Sequence, residues 1–397
     1  MTPKEQIKKF IPKFVLSIYH YKLALLGAFL YGFPGEDKNI KIIGVTGTSG
    51  KSTTVNFIIK ILEDAGEKVA SISSIIFKIG EKEWENKYKM TMPGRFVIQK
   101  FLRQAKKAEC NYVVLEVTSE GIKQFRHKFI NFDTVVFTNL SKEHLESHGG
   151  FKNYRNAKLK LFKENRNTHV INIDDESAKY FLDTSANKKI TFSAKDARAE
   201  QIKLNLIGKF NIMNALAAVC VAENYGVGFE ASKKALEKIK AISGRMEIIA
   251  KEPFMVVVDY AHTPKQLESV YKSFDSKPLI CVLGSCGGGR DKWKRPVLGE
   301  IALKYCKEII VTDEDPYDED PMAIIEEVAE GAGGKASKIL DRKEAIKEAI
   351  STAKPEDVVI ITGKGSEPWM CIKNGKKIPW DDRQIARDAC LQAGNKQ

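Results

Sequence analysis

Hydrophobic and polar residues follow two alternating periods along the chain, one typical of β-strands and one typical of helices. Residues 42–45 form a short apolar run of the β type, and from Lys51 to Leu62 apolar residues recur at helical spacing. A turn that contains Gly47 and Gly50 separates the two patterns. The stretch therefore predicts a strand, a glycine-rich turn and a helix, in that order.

Apolar runs of the same β type return along the chain, with helical patterns between them. In the first half they cover 111–117, 132–140 and 169–173, and a helix bounded by glycine is predicted over 208–226. After a linker at 242–249 the alternation begins again with FMVVVDYAH, PLICVLGSCGGGRD, CKEIIVTDEDP and DVVIITGKGSEP. The pattern predicts an α/β fold with parallel sheets, in which ligands bind at the carboxyl ends of the strands.

The segment 14–33, FVLSIYHYKLALLGAFLYGF, is apolar and follows a lysine-rich start. Such a segment could be a membrane span or a signal sequence. His20 and Lys22 interrupt it, and no small-x-small cleavage site is clear. We therefore favour a helix that stays with the mature protein and either packs on it or lies on a membrane surface.

Composition indicates a globular protein of two or three domains, because 397 residues with 43% hydrophobic and 29% charged residues are long for a single core. The net charge of +13 favours anionic partners such as nucleotides, sugar nucleotides, nucleic acid or acidic lipid. A lysine-rich solvated surface explains most of these charges equally well. Seven cysteines without a C-x-x-C pair predict reduced thiols and a cytoplasmic location, with Cys220 as a small core residue.

The glycine-rich turn has the parts of a phosphate site. Gly47 and Gly50 let successive backbone N–H groups face one anion, Lys51 adds a positive charge at a helix N-terminus, and Ser52 offers a hydroxyl to Mg²⁺. The strict pattern G-x-x-x-x-G-K-[ST] fails, because Val45 stands where its first glycine belongs. An ordinary βα turn is the alternative, but the order of strand, turn and helix favours nucleotide binding.

A series of motifs resembles the Mur ligases, and most closely the MurE type, from about Lys41 to the C-terminus. The motifs are TGTSGKSTT, EVTSEGIKQFR, TNLSKEHLESHG, YRNAKLKLF, GKFNIMNALAA, GRMEII, VVDYAHTPKQLE, GSCGGGRDKWKRP, VTDEDPYDEDP and TGKGSEPW. The resemblance implies ATP-dependent amide formation through an acyl phosphate, in which an amino acid joins a muramyl peptide in peptidoglycan synthesis. Such chemistry needs positioning and charge neutralisation more than a nucleophilic side chain.

Three segments are expected, the first from its apolar pattern and the other two from the resemblance. They are an N-terminal apolar helical segment at 1–38, a central P-loop-type ATP-binding domain with a parallel sheet at 39–244, and a Rossmann-like α/β domain at 245–397. Closure of the last two around ATP would exclude water from the acyl phosphate.

The resemblance also implies roles for residues of the nucleotide site. The phosphates fall to Gly47, Thr48, Gly50, Lys51, Ser52 and Thr53, and Mg²⁺ to Ser52, Glu116, His144 and Lys158, the last of which matches the family lysine that CO₂ carbamylates. Adenine is assigned to Asn211 and Asn214, the γ-phosphate to Arg245 and ribose to Asp259. Lys51, Glu116, His144, Lys158 and Arg245 form the implied catalytic set. Without the resemblance, Glu116 and Lys158 would be ordinary solvated side chains.

Substrate residues follow in the same way. The acidic acceptor is assigned to Thr91, Ser119, Gln124 and Arg126, and the incoming amino acid to Arg290, Asp315, Gly363 and Glu367. Arginine suits a carboxylate because its fork of N–H donors matches the two oxygens.

Three departures from the family change what is expected. About forty residues precede the phosphate turn, where typical MurE enzymes have a uridine-binding domain, so recognition of UDP is left open. The family's Ser-Ser-His reads Thr118, Ser119, Glu120, and its paired threonines read Thr91 and Met92, so a truncated or lipid-linked muramyl peptide is an alternative to the family's UDP-linked acceptor.

The third departure concerns the incoming amino acid. The Asp-Asn-Pro-Arg motif of diaminopimelate enzymes reads Glu314, Asp315, Pro316, Tyr317, without the arginine. The acidic loop predicts a lysine-like or ornithine-like substrate, unless its carboxylates are ordinary loop charges or Lys292 or Arg295 supplies the missing cation.

Other functions remain open at this stage. A folylpolyglutamate or cyanophycin synthetase would use related ATP chemistry, whereas a Mur-like partner subunit of an amidotransferase would make no amide itself. The sequence contains no aromatic-basic module of the kind found in nucleic-acid-binding proteins, so we expect small-molecule substrates and no nucleic acid. A monomer with peripheral membrane contact through the N-terminal segment completes the expectation.

Overall fold

The structure is a computed structural model, and it describes residues 12–88, 90–274 and 276–394. The strands are β1 Lys41–Thr46, β2 Val69–Ile72, β3 Ile76–Ile79, β4 Lys82–Glu85, β5 Tyr112–Glu116, β6 Thr134–Phe137, β7 Thr168–Asn172, β8 Lys188–Phe192, β9 Glu247–Ala250, β10 Met255–Asp259, β11 Leu279–Leu283, β12 Cys306–Thr312, β13 Ala336–Ile339, β14 Val358–Thr362, β15 Trp369–Cys371 and β16 Lys377–Pro379.

Helices connect most of these strands. They are α1 Lys13–Leu30, α2 Lys51–Asp64, α3 Arg95–Lys107, α4 Ser119–Lys123, α5 Leu145–His148, α6 Phe151–Glu164, α7 Ala178–Leu182, α8 Arg198–Gln201, α9 Phe210–Asn224, α10 Phe229–Glu237, α11 Pro264–Lys272, α12 Lys294–Tyr305, α13 Pro321–Gly331, α14 Arg342–Ser351 and α15 Asp382–Gln392, with short 3₁₀ turns at Pro34–Glu36 and Lys373–Gly375.

The first sheet has eight strands in the order β4-β3-β2-β5-β1-β6-β7-β8. Six neighbouring strands run parallel, in the spatial order β2, β5, β1, β6, β7 and β8. β3 and β4 extend the sheet beyond β2 in antiparallel pairing. Every residue of β5 is buried, because α2 and α9 cover one face and α3 the other. A strand buried on both faces reads as one apolar run, which is why 111–117 predicted it.

The second sheet has six strands in the order β13-β12-β11-β14-β10-β9, all parallel except β9. The runs that predicted a second set of strands form β10, β11, β12 and β14. The predicted α/β fold with parallel sheets is therefore confirmed. The short strands β2, β3, β4, β8, β13, β15 and β16 were not predicted, because three to five residues carry little periodic signal.

The N-terminal segment forms α1, which packs against α3 through Ala24 and Ala28. Residues 1–11 of the predicted segment lie outside the described residues, and the boundaries at 38/39 and 244/245 stay predictions. No helix within the described ranges is both long enough and apolar enough to span a bilayer.

The cysteines depart from one expectation. Cys281 of β11 and Cys306 of β12 form a disulfide, so the prediction that all the thiols are reduced is wrong for this pair. The pairing arises because the two strands are neighbours, with a Cα–Cα distance of 6.1 Å, which lies within the range of disulfides. Cys220, in contrast, is the buried core residue that the sequence predicts.

A buried ion pair fastens the C-terminal helix to the second sheet. Arg342 at the start of α14 donates to Asp382 of α15 over 2.9 and 2.7 Å, and it also donates to the carbonyl of Thr362 at the end of β14. The side chains of Arg342 and Asp382 are fully buried. Removal of one partner leaves an uncompensated charge in the protein interior.

We predict that Asp382→Ala lowers the free energy of unfolding by about 3 to 5 kcal/mol, the usual cost of breaking a buried pair. Asp388→Ala, an exposed position on the same helix, serves as the control and should change it by less than about 0.5 kcal/mol. Chemical denaturation of both variants measures the difference. Equal effects would contradict the anchoring role of the pair.

Candidate active site

The carboxyl ends of both sheets face a cavity of about 740 Å³. Its walls include every predicted site residue except Gly47 and Lys158. Residues from the first sheet and its loops form one side, and residues that follow β10, β11, β12 and β14 form the other. The geometry matches the rule that ligands of parallel sheets bind beyond the carboxyl ends of the strands.

The glycine-rich turn between β1 and α2 fits closely against neighbouring loops. Thr48 N–H donates to the carbonyl of Asn139, and Ser49 N–H donates to its side-chain oxygen, both over 2.9 Å. Gly50 has φ +80°, and a Cβ there would lie 2.1 Å from Oδ1 of Asn214. Only glycine fits this position, and the turn and Asn214 of α9 therefore form one surface.

The glycine-rich turn with Lys51 and Ser52 is called the phosphate end of the cavity. Glu116, the last residue of β5, contacts several of its side chains. One carboxylate oxygen accepts from Ser52 Oγ, Ser74 Oγ and Ser74 N–H, each over 2.9 Å. Lys51 Nζ lies 3.9 Å from the other oxygen and 3.0 Å from the carbonyl of Thr48. A hydroxyl and a carboxylate in contact are the hard oxygen donors that Mg²⁺ prefers.

Lys158 reaches the turn from helix α6. Its Nζ donates to the carbonyl of Gly47 over 2.7 Å and lies 4.8 Å from the centre of the Tyr154 ring. The side chain is 1% exposed. Burial, followed by the positive charge of Lys51, lowers the pKa of Lys158 well below its ordinary value. The amine is therefore favoured in its neutral, nucleophilic form.

His144 lies at the start of α5 with φ +55°. Burial, and then the charges of Arg290 and Lys158, lower the pKa of His144 to about 2. The ring is therefore neutral at physiological pH, which is the form that binds metal. Among the described residues no three His, Cys, Asp or Glu side chains converge as a metal site, and the proposed set of Ser52, Glu116, His144 and Lys158 contains only two residues of these types.

Arg245 connects the second half of the chain to the phosphate end. Its Nη2 donates to Ser52 Oγ over 3.4 Å, and its guanidinium lies 4.2 Å from the centre of the Tyr260 ring. Asp259 holds the backbone next to it, because its carboxylate accepts N–H groups of Met246 and Ala261, both over 2.7 Å. Both Asp259 oxygens thus already have a backbone donor.

Two further contacts join the sheets, and the sequence predicted neither. Asp291 accepts the N–H groups of Leu145 and Glu146 at the start of α5, over 3.1 and 2.9 Å. Lys294 and Glu143 form an ion pair of 3.2 Å, with side chains only 3% and 5% exposed. These residues lie within the motifs GRDKWKRP and SKEHLES, and their place in these motifs was the sequence signal that could have identified them.

The acceptor end is formed by residues around α4. Arg126 donates to Gln124 Oε1 over 2.8 Å and to the carbonyl of Met92. Met92, where the family has threonine, is buried, and its sulfur packs on Gly121 of α4. Ser119 Oγ lies 3.1 Å from His148 Nε2. The predicted acceptor residues therefore lie together on one wall of the cavity.

The predicted amino-acid residues line another part of the same cavity, which we call the amino-acid wall. A Cβ at Gly363 would lie 2.0 Å from Glu314 Oε2, an oxygen that is buried without a hydrogen-bond partner among the described residues. Glu367 accepts from Tyr260 Oη over 2.9 Å and from Lys364 Nζ over 2.7 Å. Glu314 was not among the predicted ligands, although the sequence marked its loop as acidic.

Other charges of this region are already engaged. Asp315 pairs with buried Lys364 over 2.9 Å and accepts the N–H of Cys371 over 2.7 Å. Arg295 pairs with Glu319 and Glu327, and Lys292 pairs with Glu319. Both cations that could replace the arginine missing from the loop are therefore engaged by glutamates in this structure.

Comparison with known proteins decides the family. Residues 45–222 match the Mur ligase middle domain, and residues 244–365 match the Mur ligase glutamate ligase domain. The chain is 37% identical to a UDP-N-acetylmuramoyl-L-alanyl-D-glutamate–2,6-diaminopimelate ligase of Syntrophomonas wolfei, over 92% of this chain and 81% of the relative. The chain belongs to the Mur ligase family.

Solved structures agree with this family. A solved ligase of the same description is 30% identical, with a TM-score of 0.59 over 90% of this chain and 80% of that one. A Mycobacterium tuberculosis folylpolyglutamate synthase complexed with ADP and AMPPCP shares the fold, with a TM-score of 0.69 at 16% identity over 89% and 96%. This Mur ligase is thus an ATP-dependent enzyme that forms amide bonds, as the motifs predicted.

We predict that Gly50→Ala weakens ATP binding of this Mur ligase at least about tenfold, since the new Cβ displaces Asn214. It should also lose about 1 to 2 kcal/mol of stability through its positive φ. Gly66→Ala is the matched control, because Gly66 has φ +89° and nothing within 4 Å of its Cβ position. Calorimetric titration with ATP measures both, and equal affinities would contradict the fit of turn and Asn214.

Proposed function

We propose that this Mur ligase joins a diamino acid to a muramyl-peptide acceptor in peptidoglycan precursor synthesis. The observation that carries the proposal is one cavity that the phosphate end, the acceptor wall and the amino-acid wall line together. ATP supplies the phosphoryl group that activates the acceptor carboxylate. The amine of the incoming amino acid then displaces phosphate and forms the amide bond, which requires both substrates to be positioned together.

The phosphate end would hold ATP through its turn. Backbone N–H groups of Gly47 and Gly50, the ammonium of Lys51 and the N-terminus of α2 with Ser52 and Thr53 all suit an anion. Thr48 is proposed beside them, although its own N–H already donates to the carbonyl of Asn139. Arg245 adds a second cation from across the cavity. Asn211 and Asn214 lie beyond the turn for the adenine, and Asp259 is proposed at the ribose.

Mg²⁺ fits the phosphate end without a three-residue cluster. Ser52 and Glu116 provide two oxygen ligands in contact with each other, and Mg²⁺ commonly completes its shell with phosphate and water. His144 and Lys158 are proposed as further ligands. Lys158 would act as a carbamate, because a carbamate is anionic whereas a lysine is not.

Carbamylation of Lys158 is supported by its burial beside the uncharged Gly47 carbonyl and Tyr154 ring, and the positive charge of Lys51 would stabilise the anion that forms. We expect Lys158→Ala to reduce amide formation at least a hundredfold, and added bicarbonate to restore activity partly in CO₂-depleted wild type. Lys152→Ala, exposed on the same helix, is the control and should keep wild-type activity. Mass spectrometry of the intact protein should show a gain of one CO₂ in wild type and in Lys152→Ala, but not in Lys158→Ala. Full activity of Lys158→Ala would contradict the assignment.

The acceptor wall suits an acidic peptide. Arg126 has a buried Nε without a partner among the described residues, next to Gln124, Ser119 and Thr91. A carboxylate of the acceptor would satisfy that N–H and gain a charge-assisted hydrogen bond. The relatives are named for an acceptor that ends in D-glutamate, which fits this requirement.

The amino-acid wall suits an incoming amino acid that carries a side-chain amine in addition to its α-amine. Arg290 would bind the α-carboxylate and Glu367 the α-ammonium, as the resemblance implies. Glu314 Oε2, at Gly363, offers its unpartnered oxygen to a side-chain ammonium, whereas Asp315 is engaged by Lys364. A distal carboxylate finds Tyr317 in place of arginine.

We predict that lysine is preferred to meso-diaminopimelate by about ten- to a hundredfold in kcat/KM, the factor that a lost charge-assisted hydrogen bond of about 1.5 to 3 kcal/mol implies. Amino-acid-dependent phosphate release measures both substrates. Glu314→Gln should reduce the preference, while Asp318→Asn, on the exposed part of the same loop, should not. A preference for diaminopimelate would contradict the prediction.

A panel of acceptors tests the function as a whole. Phosphate release should require both a muramyl peptide and an amino acid, and Lys51→Ala should abolish it because a phosphate charge is lost. Release with a folate and glutamate would instead favour the folylpolyglutamate alternative, whose fold the chain shares. Absence of release with every pair would favour a partner subunit without catalysis.

Location and assembly complete the proposal. We place this Mur ligase in the cytoplasm as a monomer, where it acts on small molecules and not on nucleic acid, in three segments at 1–38, 39–244 and 245–397. Its N-terminal segment would make peripheral contact with a membrane. The exposed apolar residues of α1 support that contact.

A further inference from the structure

Helix α1 exposes an apolar face along its length. It carries more than half of the large apolar side chains that are exposed in the described part of the chain, among them Phe14, Val15, Ile18, Tyr19, Leu25, Leu26, Phe29 and Leu30. Their spacing places them on one stripe of the helix, which Lys22 shares. At 1.5 Å per residue the stripe extends over about 27 Å. A contiguous apolar surface of this size marks an interaction site.

The opposite side of α1 is fixed to the protein. Ala24 and Ala28 are buried, and a Cβ at Gly27 would lie 3.6 Å from the backbone nitrogen of Phe96 in α3. The Tyr21 ring packs against Phe129, with ring centres 5.6 Å apart. The stripe is therefore exposed while α1 is docked, and not because the helix is detached.

Charge identifies the kind of partner. Helices α1 and α3 contain seven lysines and arginines and no aspartate or glutamate. Lys22, Lys100, Arg103 and Lys107 are exposed, whereas Lys106 pairs with Asp37. Positive charge beside an apolar stripe complements an anionic bilayer. A second copy of the same surface would be repelled.

The acceptor wall lies directly beside α1. Arg95 of α3 donates to the carbonyl of Gln124 over 2.6 Å and contacts His20 of α1 over 2.7 Å. Phe125 lies between the acceptor residues Gln124 and Arg126, and its ring packs edge-on against Tyr21 of α1 at 6.0 Å. The same short loop thus contacts α1 and lines the cavity.

We propose that α1 lies in the plane of an anionic bilayer and that the acceptor is a muramyl peptide anchored in that bilayer through a phosphate-linked lipid. The identity of the acceptor rests on the proposed function. A lipid-anchored peptide projects from the headgroup layer, where the acceptor wall would meet it. Confinement of enzyme and acceptor to one surface raises their effective concentration, without any new contact in the cavity.

Vesicle binding tests the docking surface. Wild type should sediment with vesicles of phosphatidylglycerol and phosphatidylcholine, more weakly at high salt, and at least tenfold more weakly with phosphatidylcholine alone. Leu30→Glu should bind the anionic vesicles about tenfold more weakly. Leu391→Glu is the matched control, because both leucines are 60% exposed and Leu391 lies in α15. The proposal would be overturned if wild type stayed in solution. It would also be overturned if wild type associated with itself and Leu30→Glu abolished that self-association.

Turnover tests the acceptor. With a muramyl dipeptide acceptor on a polyprenyl pyrophosphate in the same vesicles, Leu30→Glu should lose about tenfold in kcat/KM. With a water-soluble UDP-linked acceptor, Leu30→Glu and wild type should be equal. Turnover of the soluble acceptor alone would overturn the lipid-linked acceptor and leave the ligase intact. If neither acceptor releases phosphate while the vesicles still bind, the ligase function fails and the docking surface stands.

Discussion

The active site of this Mur ligase depends on contacts between the carboxyl ends of its two sheets. The buried ion pair between Glu143 and Lys294 and the two N–H groups that Asp291 accepts hold the α5 loop of the first sheet against the second. The phosphate turn belongs to one sheet, whereas Arg245 and the amino-acid wall belong to the other. Neither half therefore contains all the residues of the candidate site.

Much of the fold followed from the sequence because buried parallel strands are continuous apolar runs. β5 was predicted within one residue of its observed ends, β10 lies within the predicted run 254–262, and the glycine-rich turn was placed correctly between β1 and α2. The motifs also indicated nearly all the residues that line the cavity. Local patterns were sufficient here, since each motif follows the end of its own strand.

Long-range pairing could not be predicted in the same way. Asp315 carries the same charge in the sequence whether it faces a substrate or Lys364, and only the fold shows that Lys364 engages it. The pairing of Cys281 with Cys306 depends on which strands become neighbours. Likewise, the apolar run of α1 predicted a helix, but the fold was needed to show which of its faces is covered by α3.

The most direct test of this assembly is a double-mutant cycle between the sheets, with Glu143→Gln, Lys294→Met and the combination measured by kcat/KM for ATP. Each single variant should lose at least about tenfold, because it leaves one buried charge unpaired. The double variant should lose no more than the worse single variant, which corresponds to a coupling of at least about 1.4 kcal/mol. Losses that multiply would contradict the claim that this pair assembles the site.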